Sequence, residues 1–294
     1  VEYQFHLDEK GMLMLTSRRA FLTLAGVGLP LAARAMFSRL LGLQLYSLRR
    51  EAQKDLPSAL ALARKLGFTE LEVAGFYGRS VSEFRRLLAE HGLRVTSFGA
   101  EWNQLLQSTS KAADDATALG AKFITCSQIP RKKRLTLDDT LKAADNFNRW
   151  GEALASVGLH FCYHTHGYEF VDGPDGTLFD TLAKRTDFKV ANFEMDVFWV
   201  VFGNQDPEKL LRKYPRRFPL MHLKDIRHGE PRTFDPGTVE EEASVPLGTG
   251  EVDWPPVLRA AKETGVERYY IEEEHPNAVK QIEQSLNYLR KLKF

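Results

Sequence analysis

One local pattern limits the folds open to this chain more than any other: a helical segment that ends in glycine and passes at once into a β-type run. It occurs five times, over residues 66–73, 91–98, 119–126, 157–163 and 264–271. Glycine at the junction suits the left-handed residue that closes a helix and turns the chain into a strand. Three further β-type runs, 41–46, 190–196 and 220–224, bring the number of expected strands to eight. Helical patterns lie between them, as at 57–65 and 207–214, the latter opened by Asp206 as N-cap and Pro207 in the first turn.

Eight strands alternating with helices fit a (β/α)8 TIM barrel of the α/β class. The competing doubly wound sheet favours a glycine-rich phosphate turn after its first strand, and Leu45-Tyr46-Ser47-Leu48-Arg49 offers none. No Ser/Gly-rich linker or shift in composition interrupts the barrel region, so a single domain is expected over residues 36–294.

The preceding residues 1–35 read as a separate segment, an N-terminal extension and a signal peptide. Arg18-Arg19 stands directly before an uncharged apolar run, roughly 20–33, that is too short to span a bilayer, which takes about 20 apolar residues. The run ends in Ala33-Arg34-Ala35, with small residues where a signal peptidase reads. The stretch resembles a twin-arginine export signal. Cleavage after Ala35 would leave a periplasmic protein without stable membrane insertion, close to the roughly 250 residues of one barrel.

Charge excludes little but does exclude something. The 294 residues carry 40 Lys+Arg against 39 Asp+Glu, a net charge of +1, so no overall pull towards nucleic acid is expected. The two cysteines, Cys126 and Cys162, fall inside expected strands and read as buried free thiols.

In such a barrel the chemistry sits at the C-terminal strand ends. His164 and His166 follow strand five, His222 lies on strand seven and His275 follows strand eight, joined by Glu169, Glu194, Asp196, Glu272 and Glu274. Side chains alternate faces along a strand, so His164/His166, Glu194/Asp196, His222/Lys224 and Glu272/Glu274 are same-side pairs. Packing so many polar groups at one barrel end without a cation would require a costly buried network. A mixed His/Asp/Glu set without thiolate suits one divalent ion: Mn²⁺ first, with Mg²⁺, Co²⁺ or Zn²⁺ as alternatives.

Leu43-Gln44-Leu45-Tyr46-Ser47-Leu48, Tyr163-His164-Thr165-His166-Gly167-Tyr168-Glu169-Phe170, Met195-Asp196-Val197-Phe198-Trp199, His222-Leu223-Lys224-Asp225 and Pro246-Leu247-Gly248-Thr249-Gly250-Glu251-Val252-Asp253-Trp254 stand in this order. Together, over roughly residues 40–292, they resemble the sugar phosphate isomerase/epimerase family of xylose-isomerase-like barrels. The resemblance implies one metal held by Glu, Asp, His and Glu from successive strands, and Asp196, His222 and Glu272 match three of these. At the fourth position this chain has His164, with Glu169 a few residues on. His164 is the first choice of ligand there, His166 is the second, and Glu169 stays open.

The resemblance further implies proton abstraction next to a carbonyl through a metal-stabilised enediolate, on a keto sugar or polyol. Returning the proton gives an isomerase or epimerase, the leading reading. Loss of a leaving group gives a lyase or hydratase acting on 3-keto-glycosides, and a non-catalytic carbohydrate-binding protein is the reading of another class. Glu169 and Glu274 are candidate acid/base groups, and Lys224 a candidate to polarise the carbonyl. His166, Trp102 and Trp199 are candidates for holding the sugar. The expected partner is a small carbohydrate rather than nucleic acid, and a homo-oligomer is compatible with the sequence.

Overall fold

The computed structural model describes residues 40–293, together with the backbone of His6–Leu7 and Leu13–Met14, which pair as a two-stranded antiparallel ribbon. The twin-arginine segment and its cleavage point lie outside the described residues. Among the described residues no helix is long and apolar enough to cross a membrane.

Eight parallel strands close into a barrel: β1 (Leu41–Gln44), β2 (Glu70–Val73), β3 (Arg94–Gly99), β4 (Phe123–Cys126), β5 (His160–His164), β6 (Ala191–Asp196), β7 (Leu220–Leu223) and β8 (Arg268–Ile271). Each pairs with its neighbours in sequence, and β8 pairs with β1 to shut the sheet. The main helices that follow them in turn are α1 (Leu56–Lys65), α2 (Val81–Glu90), α3 (Trp102–Leu119), α4 (Leu137–Ala155), α5 (Leu178–Arg185), α6 (Pro207–Lys213), α7 (Trp254–Thr264) and α8 (Ala278–Lys291).

The junction glycines behave as their chemistry requires: Gly67, Gly92, Gly120, Gly158 and Gly265 all have φ between +63° and +103°. The opposite helix ends are set by side chains. Ser80 with Glu83, Thr136 with Asp139 and Thr177 with Asp180 form capping boxes, and Asp206 accepts from the Lys209 N–H with Pro207 in the first turn.

The barrel interior is layered. At the N-terminal end Glu70 is ion-paired with Arg94 and Arg268. Above it the Tyr270 ring fills the middle, with Phe123, Cys162 and Leu220 in the same buried cluster, and its hydroxyl lies 2.8 Å from Thr96 Oγ1. The ring fits because β1 carries Gly42 there, where a Cβ would lie 2.8 Å from Tyr270. The aromatic ring thus separates the Glu70 ion pairs at the N-terminal end from the polar groups at the C-terminal end. Cys126 and Cys162 are buried free thiols, as expected.

Candidate metal centre and cavity

Strand register places the polar residues at one height. Glu194 on β6 pairs with His164 on β5, and Asp196 on β6 pairs with His222 on β7. The pleat turns each of these inward, and all four are buried. His164 Nε2 lies 3.8 Å from Asp196 Oδ2; His222 Nδ1 lies 3.8 Å from the same oxygen and 2.9 Å from Glu272 Oε2. His164, Asp196, His222 and Glu272 can each present one donor atom within 4.8 Å of the others.

The opposite ring nitrogens are held by a second set of carboxylates. His164 Nδ1 is 2.9 Å from Glu194 Oε2, whereas His222 Nε2 is 2.7 Å from Glu72 Oε1 and 3.3 Å from Glu194 Oε1. Gln44 Nε2 donates to that same Glu72 oxygen at 2.6 Å. Histidines that bind metals characteristically have the far nitrogen fixed this way, which sets the tautomer and ring orientation.

The electrostatics favour a cation here. Glu72 Oε2, Glu194 Oε1 and Asp196 Oδ2 are buried without a hydrogen-bond donor, and each such atom costs about 1–3 kcal/mol unless something compensates it. Burial pushes the Asp196 carboxyl up to about 8, and burial with the nearby Glu194 charge raises Glu72. Burial and then the positive His222 lower His164 to about 3, leaving its imidazole neutral. Burial opposes a charge on His222, but Glu194, Glu72 and Glu272 outweigh it and lift its pKa well above the ordinary value. A divalent ion would supply the positive charge that a proton on His222 supplies here, so the donor set fits one. Nitrogen from two imidazoles and oxygen from two carboxylates suit a first-row divalent metal or zinc.

The centre lies at the inner end of a cavity of about 430 Å³. Lys224, which follows β7, and Glu274, which follows β8, are hydrogen-bonded to each other, and Lys224 Nζ lies 3.7 Å from Glu272 Oε2. Burial works against the Lys224 charge, yet Glu272, Glu274 and Asp196 outweigh it and raise its pKa, so it stays an ammonium. Its Nζ sits 5.0 Å from the Phe198 ring centre and 5.2 Å from that of Trp199. The ring of His166 lies 5.5 Å from Trp199, and its Nδ1 is buried without a partner. His166, Trp199, Lys224 and Glu274 therefore all line the cavity, as do three of the four proposed ligands, His164, His222 and Glu272; Asp196 is fully buried.

Two expected site residues are elsewhere. Glu169 is fully buried but does not line the cavity: its carboxylate accepts from the Tyr163 hydroxyl and, at 3.1 Å to each oxygen, from the His166 N–H. Tyr163 points to the outer face of β5, where it stacks on Phe147 of α4 at 4.8 Å. Glu169 thus holds the loop that carries His166 from behind, outside the four-donor group and the cavity lining. Trp102, the first residue of α3, is edge-on to Trp150 of α4 at 4.8 Å and packs in the helical layer. Its neighbour Glu101 is the residue that reaches the cavity wall.

Conversely, Glu72 and Gln44 make contacts at the centre that were not expected. The trace they leave is an alternation of buried carboxylates with Leu71 and Val73 along β2, which places charge on the inward face of a strand.

Residues 60–292 match a family model described as xylose isomerase-like TIM barrel. An inosose dehydratase of Geobacillus thermodenitrificans strain NG80-2 is 26% identical over 243 residues, covering 74% of this chain and 80% of that protein. Among solved structures, a sugar phosphate isomerase/epimerase from Parabacteroides distasonis superposes with a TM-score of 0.70 at 27% identity, covering 85% of this chain and 93% of that one. The IOLI protein, solved with a zinc atom, shares the fold at a TM-score of 0.65 and 15% identity, covering 84% of this chain and 95% of that one.

Proposed function

Because the chain belongs to the xylose isomerase-like TIM barrel family, we propose that it is a metal-dependent carbon–oxygen lyase acting on a keto sugar or cyclic polyol ketone. The observation that carries this reading is the four-donor centre set beside a hydrogen-bonded Lys224–Glu274 pair at the inner end of one cavity. His164, Asp196, His222 and Glu272 would hold a divalent ion, manganese being the first choice, which when bound would polarise a substrate carbonyl and acidify the C–H beside it.

Glu274 removes that proton, and the electron pair of the C–H bond forms the new double bond. The carbon–oxygen bond at the next carbon breaks, and the departing oxygen takes a proton from Lys224. Proton return from Glu274 to Lys224 through their hydrogen bond restores both groups. Trp199 and His166 form the wall against which the ring is held.

The same first step serves isomerisation or epimerisation if the proton returns to carbon, the reading expected from the sequence. The dehydratase relatives favour elimination, and the Parabacteroides neighbour favours proton return. Incubating the metal-loaded protein in D₂O with inososes, 3-keto-glycosides and free ketoses separates them. Deuterium exchange with release of water or aglycone is expected. Exchange without a lost group would make the protein an isomerase or epimerase, and binding without exchange would make it a carbohydrate-binding protein. Metal analysis should find one divalent ion per chain, lost on Asp196→Ala or His222→Ala.

Export by the twin-arginine route, with cleavage after Ala35, belongs to the same proposal. Replacing Arg18 and Arg19 by lysine should hold the full-length precursor in the cytoplasmic fraction, and unchanged periplasmic delivery would refute it.

A further inference from the structure

The cavity carries an unusual balance of charge. Among the described residues lining it, Lys224 is the one lysine or arginine, and it is committed to Glu272 and Glu274. Arg49 lies nearby but is committed too: its guanidinium is 2.6 Å from Glu241 Oε1 and 2.8 Å from the Glu274 carbonyl, and it packs on the Tyr46 ring. Glu241 also pairs with Arg50.

Two further carboxylates on the wall form no ion pair among the described residues. Glu101, after β3, and Glu240, in the long segment after β7, are both exposed and both line the cavity. The donors of the metal centre, by contrast, are buried. Aromatic rings are also part of the lining. Tyr46, 43% exposed, and Trp199 offer ring faces suited to the C–H face of a sugar or cyclitol.

We propose that this site takes uncharged ring ketones and rejects phosphorylated ones, with Glu101 and Glu240 as the discriminating residues. The inference rests on the lyase reading for the identity of the reaction, but its charge argument concerns binding and is testable separately. Among the described residues no lysine or arginine other than Lys224 lines the cavity, the basic run Arg131-Lys132-Lys133-Arg134 following the lining residues Ser127 and Gln128, so a phosphate inside it would meet no uncommitted cation of the lining and would approach two exposed carboxylates. Like charges several ångströms apart at a partly solvated surface disfavour binding by about tenfold.

The test compares an uncharged keto sugar with its 6-phosphate as substrates, and myo-inositol with inositol monophosphate as unreactive ligands in calorimetry. The native, metal-loaded protein should favour the uncharged member of each pair by about tenfold or more at low salt. In the double variant Glu101→Gln/Glu240→Gln the preference should shrink several-fold, through improved handling of the phosphate. Equal or tighter binding of the phosphate by the native protein would overturn the inference, as would a preference the double variant leaves unmoved. If neither keto sugar reacts while the inositol pair still shows the preference, the lyase reading fails and the charge selection stands.

Discussion

Glu194 makes contacts to both histidines of the centre, one through each carboxylate oxygen. Replacing it with glutamine keeps the shape but leaves one imidazole facing an amide that cannot accept from both rings. Glu194→Gln should therefore weaken divalent-metal binding about 10–100-fold with the far-UV spectrum unchanged. Competition against a chromogenic chelator measures it, and native affinity in the variant would sink the assignment. Glu169 makes a different prediction. Burial pushes its carboxyl up from 4.5 to about 7, so folding favours its protonated form. That contribution is complete below pH 4.5 and is lost as pH rises to 7, by up to about 3 kcal/mol. Denaturant melts of Glu169→Gln at pH 5 and pH 8 should show the variant gaining on the native protein at the higher pH; a constant difference would count against it. Both residues show what is readable one residue at a time. The His and Asp at strand ends were legible because alternation fixes which way they face. Glu169 was misjudged because Gly167, at φ +89°, and the short turn Tyr168–Phe170 fold it back onto the outer side of β5.

At the scale of elements, the segment Pro246–Trp254 is built around one carboxylate. Asp225 accepts from the N–H groups of Ile226, Gly248, Gly250 and Val252, and from Trp254 Nε1 at 2.9 Å. The sequence shows these two motifs as separate short words, 29 residues apart at Asp225 and Trp254; the structure makes them one object, with Asp225 tying the loop after β7 to the start of α7. Asp225→Ala leaves several buried N–H groups unsatisfied and should cost about 3 kcal/mol or more in a denaturant titration. It should also open residues 246–253 to protease, and a resistant, equally stable variant would contradict this role. Trp102, expected beside the sugar, lies outside the cavity lining for a reason of the same kind. It follows a strand end, but the first turn of α3 directs it to Trp150 and Phe147. Periodicity identifies the helix; it does not say which neighbour its first turn meets.

For the whole molecule, the barrel was legible because its punctuation is local: a left-handed glycine needs no distant partner to be recognised. Glu72 was not legible because its meaning is entirely long-range. A carboxylate inside a strand finds its use only when β2 and β7 face each other across a closed sheet. The collected acids also link metal to stability. A ligand that binds only the folded chain adds about 2.7 kcal/mol at one hundred times its dissociation constant. Chelation should accordingly lower the melting temperature of the native protein by several degrees and leave His222→Ala nearly unaffected, a difference read directly by calorimetry.

The four proposed ligands all come from β5 to β8, the second half of the barrel, while Glu72 and Gln44 come from β1 and β2 in the first. The second half of the chain thus supplies the proposed ligands and, through Glu194, part of their alignment, while the first half supplies the rest of the alignment at His222. Metal affinity becomes a gauge of how well the two halves have met: a substitution that loosens the β1–β2 pair will register at an ion that neither strand touches.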